Sequence, residues 1–199
     1  MRRAALALMC VCACGCSKKP APVDDGADGA GPAVSAGAPF VGLTSPPLAF
    51  FDGHCARCHG PNGSFYGEAF ASIASDRDLH GIVLEMVEGP GFGELDDDSL
   101  YALVAFHRSL RDGTPFGVVT ELSGDAVAGE MLPGTRVSVI VGTDVIGAEM
   151  GEASWRAALP GGASGGSLRV RVERNGRVFE WDPREQAWSD APPPTHEEY

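Results

Sequence analysis

Leu100, Leu103, Val104 and then Phe106 or His107 recur three and four residues apart, the spacing that gathers apolar side chains on one helix face, and they predict a helix beginning near Asp96 to Ser99. A shorter helix is predicted from about Arg77 to Glu88, capped by Ser75 or Asp76 and stopped by Gly89-Pro90-Gly91. Ahead of both, Leu48, Phe50 and Phe51 form an apolar stretch behind Pro46 and Pro47, where an early proline gives up only a donor that a helix start leaves unpaired. From Phe116 onward the period falls to two. Arg136 to Val141, Leu168 to Val172 and Arg177 to Trp181 alternate as strands do, and Asn175-Gly176 is a strong signal for a tight hairpin turn. The expectation is an α + β chain: a small all-α segment over residues 46–112, then a small antiparallel all-β sandwich or barrel over residues 113–190.

The flanks read differently. Arg2 and Arg3, the short apolar run from Ala4 to Ala13 and the small residues before Cys16 predict an export signal over residues 1–15. That run is too short to cross a bilayer as a helix. Ala13-Cys14-Gly15-Cys16 resembles a bacterial lipoprotein cleavage box, with Ala where Leu is commonest. The resemblance implies that Cys16 becomes a lipidated first residue, held at a membrane by about 0.8 kcal/mol per buried methylene. A plain secretory signal, giving a soluble product, is the alternative. Either route delivers the chain to the periplasm or cell envelope. Residues 16–45, rich in Ala, Gly and Pro, have too little bulky apolar surface to pack and are expected to be a disordered tether reaching about 30 Å. The Pro-rich, acidic residues 191–199 are expected to be a disordered tail.

Charge narrows the partners. The full chain carries a net charge of −12, and loss of Arg2 and Arg3 with the signal leaves 13 basic against 27 acidic side chains. Residues 46–112 alone hold 4 basic and 11 acidic groups. Nucleic acid is not expected as a partner, since phosphate binding needs the opposite sign. A partner with a basic docking surface fits, as charge speeds encounter; simple solubility accounts for the same numbers.

The chemistry is concentrated in Cys55-Ala56-Arg57-Cys58-His59. Cys-x-x-Cys followed at once by His is the pattern of covalent haem c attachment, in which each thiol adds to a vinyl group and the imidazole takes an axial position on the iron. A bare redox dithiol is the other reading, though no βαβ pattern surrounds the motif. Zinc would need a second ligand pair, which the sequence does not supply. Gly60, Gly63 and Gly67, with Pro61 and Asn62 among them, predict a turning loop after the motif.

Residues 46–111 resemble a small class I cytochrome c: a helix before the motif, His59-Gly60-Pro61-Asn62-Gly63 after it, a helix ending in Gly, and a last helix reading Leu-x-x-Leu-Val-Ala-Phe. The resemblance implies thioether links at Cys55 and Cys58, His59 as proximal iron ligand, and a crossing of first and last helices that sets Phe51 against Leu103 and Phe106. It also implies a carrier of single electrons between redox proteins.

One departure bears on the iron. The family usually supplies a distal Met from the loop between the second and last helices, and Glu88 to Leu95 contains none. Met86 lies nearest but shares helical spacing with Ile82 and Val83, which also suits a core residue. His80, on the same helix, is a second candidate or an exposed residue at a helix start. His107, expected on the outer face of the last helix, is a third; His54 is too near the motif to reach across the ring. With a distal ligand the iron is closed and suits electron transfer. Without one, a five-coordinate haem sensor or oxidoreductase that binds a small ligand is the alternative. No acid–base pair or catalytic trio accompanies the motif, so no catalytic residue is assigned and enzyme activity stays open.

In the strand-rich part, Leu132 to Val137 and Ala153 to Pro160 resemble bacterial immunoglobulin-like modules. Trp155, Trp181 and Trp188 suit either buried aromatics or a sugar-binding platform. A spacer or docking module is expected there, and a cell-surface binding or assembly protein is a further alternative for the whole chain.

Overall fold

A computed structural model describes residues 43–91, 93–161 and 168–183. The expected signal, Cys16, most of the tether, Trp188 and the tail lie outside the described residues. The described chain is α + β with two antiparallel sheets. No described helix is long and apolar enough to cross a membrane.

Helices come first. α1 (Pro47–His54) starts behind Pro46; α2 (Ala56–His59) holds the end of the cysteine motif; a single 3₁₀ turn (Pro61–Gly63) and the short α3 (Glu68–Ala71) follow. α4 (Asp76–Glu88) is capped by Ser75, whose hydroxyl accepts the Asp78 N–H at 3.1 Å. α5 (Asp97–Asp112) is capped by Asp96, which accepts the Ser99 N–H at 2.8 Å. Such caps satisfy donors that the first turn leaves unpaired, and Gly113 closes α5 in the left-handed region at φ 65°. The tether expected to run to residue 45 is pinned before its end: Leu43 packs on the helical core, Thr44 donates to Asp96, and the Ser45 N–H donates to the Ser99 hydroxyl at 3.2 Å. One leucine and two hydrogen-bonding residues suffice to dock it on the start of α5.

α1 and α5 meet through Phe51 and Phe106, whose rings pack edge to face at 5.2 Å, with Leu79 and Val83 of α4 in the same core. A charged clamp joins α4 to α5. The Asp76 carboxylate accepts from Arg108 at 3.1 Å and from Arg111 at 2.7 Å, and the Arg108 side chain is only 6% exposed. Burial works against ionising Asp76, but the hydrogen bonds and charges of Arg111 and Arg108 outweigh it and hold the carboxyl below its ordinary range. A carboxyl depressed in the folded state stabilises above its unfolded value and loses that contribution as pH falls through the folded one. Asp76→Asn is therefore expected to cost about 1–2 kcal/mol at pH 7, the range of about 1.5–3 kcal/mol for hydrogen bonds to charged groups reduced by solvent screening of a carboxylate 36% exposed. In urea titrations the difference from wild type should vanish once pH falls below the carboxyl range; a constant difference would refute this account.

Eight strands follow: β1 (Gly117–Leu122), β2 (Ala126–Met131), β3 (Arg136–Val141), β4 (Asp144–Gly147), β5 (Glu149–Met150), β6 (Ser154–Ala158), β7 (Leu168–Arg174) and β8 (Arg177–Trp181). They form two four-stranded sheets, ordered β1-β2-β6-β5 and β4-β3-β7-β8. Their alternating inward residues share one core, among them Val127, Trp155 and Ala157 from the first sheet and Val139, Val170 and Trp181 from the second. Asn175 and Gly176, at φ 54° and 76°, make the β7–β8 turn; two positive φ angles are what such a turn demands. Trp155 and Trp181 are buried, at 2% and 5% exposure, and so form no platform; the Trp155 indole N–H donates to the Glu130 carbonyl at 3.2 Å.

The passage from helix to strand at residues 113–116 is not a break in packing. Phe116, Val118 and Leu132 belong to the core of the helices, and Phe116 meets Phe106 edge to face at 5.7 Å. From β2, the Glu130 carboxylate reaches the start of α1 and accepts the Leu48 and Ala49 N–H groups at 2.7 and 3.0 Å. All described residues fall in one compact unit.

Candidate functional site

The cysteine motif folds as a single helical turn. The His59 N–H donates to the Cys55 carbonyl at 3.0 Å and the Gly60 N–H to the Ala56 carbonyl at 2.8 Å. Cys55 and Cys58, three residues apart, therefore stand on one side of that turn, and His59 lies one turn beyond Cys55. Cys55 and Cys58 form no disulfide with each other; Cys55 is half-buried and Cys58 exposed. Burial, followed by the neighbouring Cys58, pushes the Cys55 thiol up. Gly60, at φ 74°, turns the chain back so that the Phe65 N–H can donate to the His59 carbonyl at 2.9 Å.

Opposite this turn stands α4, and between them lies a cavity of about 80 Å³ whose wall includes Cys55, His59, Tyr66, Met86, Leu103 and His107. Val83 of α4 is buried, whereas Ile82 and Met86 are each 42% exposed while facing the same cavity. Met86 is thus a wall residue, not a core residue, and its thioether shares the cavity with the His59 imidazole.

The other candidates fall elsewhere. His80 does not line the cavity; its ring stacks at 5.7 Å from Tyr101, and burial lowers its pKa. His54 stacks on Phe50 at 4.3 Å and donates through Nδ1 to the Gly91 carbonyl at 2.9 Å, tying α1 to the loop after α4. His107 corrects the expectation of an outward position: it is 5% exposed and lines the cavity. α5 is covered over most of its circumference, with every residue from Ser99 to Ser109 except Tyr101 buried, so it has little outer face to offer. Nor is the His107 ring free to bind anything. Nδ1 is 2.7 Å from the Leu103 carbonyl and Nε2 is 2.9 Å from the Tyr66 hydroxyl. A carbonyl only accepts, so Nδ1 carries the proton and the tyrosine donates to Nε2. Burial above all, resisted by the Leu103 carbonyl and assisted by His59, brings the His107 pKa down to about 4.

Tyr66 and Phe70 were not singled out from the sequence, yet both line the cavity, their rings stacked at 4.1 Å. The signal available was Phe65-Tyr66 following directly on the glycine loop. Burial, with Cys55 adding, raises the Tyr66 pKa, so the phenol stays protonated.

The Cys55 thiol, the His59 imidazole and the Met86 thioether face a mostly apolar space, while Cys58, on the same turn, is exposed and outside that lining; this donor set suits a flat apolar macrocycle carrying a metal, with Cys58 at its edge. The enclosed volume is smaller than such a group. The wall side chains that would have to give way are the half-exposed ones, Ile82 and Met86, and methionine has three rotatable bonds with which to do so. A bare metal ion fits less well, for among the described residues no group of three or more His, Cys, Asp or Glu could hold one. A larger hollow of about 390 Å³ is lined by Asp52, Glu130 and Glu152 and contains neither thiol nor imidazole. No protein-family model, curated protein or solved structure matches this chain.

Proposed function

We propose that this chain is an exported monohaem c-type cytochrome that passes single electrons between redox proteins. The observation that carries the reading is the convergence of Cys55, His59 and Met86 on one apolar cavity, although Met86 follows His59 by a whole helix and a loop. Cys55 and Cys58 would hold haem c through thioethers, His59 would be the proximal ligand and Met86 the distal one. When bound, the group supplies an iron that gains or loses one electron. The chain supplies the rest. Leu79, Val83 and Leu103 line the cavity and would keep water from the group, and the Met86 thioether would hold the iron on its distal side and favour the reduced form. The acidic helical segment suits partners with basic docking surfaces.

Cys16 is proposed as a lipid anchor, holding the protein to a membrane facing the periplasm or cell envelope. For the strand-rich part the order β1-β2-β6-β5 opposite β4-β3-β7-β8 supports an immunoglobulin-like sandwich, in which four strands of the same connectivity face the remainder.

The test is direct. Exported from a host with a working maturation system, the protein is expected to be coloured and to weigh more than the bare polypeptide by one haem; Cys55→Ser with Cys58→Ser should leave the purified chain without covalently held haem. A colourless wild-type product of bare mass would end the proposal. Met86→Ala is expected to abolish the weak thioether-to-iron band at the red edge of the spectrum and to let carbon monoxide bind rapidly to the reduced form. An unchanged band would remove Met86 as ligand, and rapid carbon monoxide binding by the wild type would favour a ligand-binding haem protein over a carrier.

A further inference from the structure

Beneath the cavity, Tyr66 is held from four directions. Its hydroxyl donates to His107 Nε2 at 2.9 Å; its ring stacks on Phe70 at 4.1 Å; Phe51 meets it edge-on at 6.4 Å; and Gly63 lies so close that a Cβ there would come within 2.5 Å of the ring. Gly63 also sits at φ 72°, so both the backbone and the contact call for glycine. His107 is fixed in turn by donating to the Leu103 carbonyl, which leaves Nε2 a single role, that of acceptor. The Tyr66 ring also borders His59, whose ring lies 4.9 Å away at 45°.

We propose that Tyr66, tethered through its hydroxyl to the buried His107, is the positioning residue for the His59 imidazole. This rests on the reading of His59 as a metal ligand for its purpose, though not for its geometry. A hydrogen bond to the second ring nitrogen is the usual device for orienting a ligating histidine. No such bond is formed by the His59 ring among the contacts described, and an aromatic wall locked at its far end does the same work by contact. The pair of half-buried Tyr66 and buried His107 serves no other visible purpose. A tyrosine and a histidine that merely filled space could be replaced by apolar side chains, with no hydroxyl or imidazole to satisfy.

That last point supplies the test. Tyr66→Phe keeps the ring but strands His107 Nε2, so it should lower the unfolding midpoint; Tyr66→Phe with His107→Leu removes both polar groups and should recover most of that loss. If the tether positions His59, both variants should displace the His59 ring-proton NMR signals of the haem-free full chain toward unstructured-peptide values. Both should also shift the reduction potential of the matured chain in the same direction. If the double variant regains wild-type His59 signals and potential along with its midpoint, the pair only fills space and the proposal falls. The haem-free measurement stands even if the wild type proves colourless, so failure of the positioning role and failure of the haem reading are distinguishable.

Discussion

The chain cut after residue 112, with residues 43–45 kept, is expected to lose cooperative folding, showing a shallow thermal transition and reduced helical circular dichroism beside the haem-free full chain. Truncation would strip Phe116, Val118 and Leu132, none more than 1% exposed, from the core that Phe51 and Phe106 share. At about 1.5–3 kcal/mol for each fully buried side chain, the loss is about 5–9 kcal/mol. A whole small domain is stable by about 5–15 kcal/mol, so little would remain. It would also uncap α1, because Glu130 is the acceptor for Leu48 and Ala49 N–H groups. A sigmoidal melt with undiminished helix content from the shortened chain would show that the helices fold alone and that the strands are an accessory.

Phe106→Ala is the single substitution with the largest expected cost, about 3–5 kcal/mol, which denaturant unfolding of the full chain at neutral pH would read as a lower midpoint with an unchanged slope. Phe106 is fully buried and touches both halves of the core, with Phe51 at 5.2 Å on one side and Phe116 at 5.7 Å on the other. Phe51 cannot collapse into the space without leaving the edge-on contacts it also makes with Tyr66 and His107. A cost under about 1 kcal/mol would mean that the core repacks freely, contrary to the close packing of protein interiors.

Local signals were legible wherever a single residue dictates backbone geometry. Ser75 and Asp96 cap the helices predicted to begin there, and Asn175-Gly176 turns the last hairpin. The motif from Cys55 to His59 was equally plain. What stayed hidden depended on contacts between distant parts. Glu130 looks like any strand carboxylate until folding carries it some eighty positions back to α1. Apolar periodicity showed that Ile82, Val83 and Met86 share a helix face, but not that Val83 enters the core while its neighbours edge a cavity. His107 was misplaced for a related reason: periodicity assumes a helix with a solvent side, and α5 is enclosed by α1, α4 and the first strands.

The carboxylate of Glu130 has a consequence in time. A ribosome releases Cys55, Cys58 and His59 well before Glu130 and Leu132, which complete the start of α1 and the helical core. During that interval the two thiols belong to a chain whose first helix still lacks the acceptor of its Leu48 and Ala49 N–H groups, and the arrival of β2 ends it.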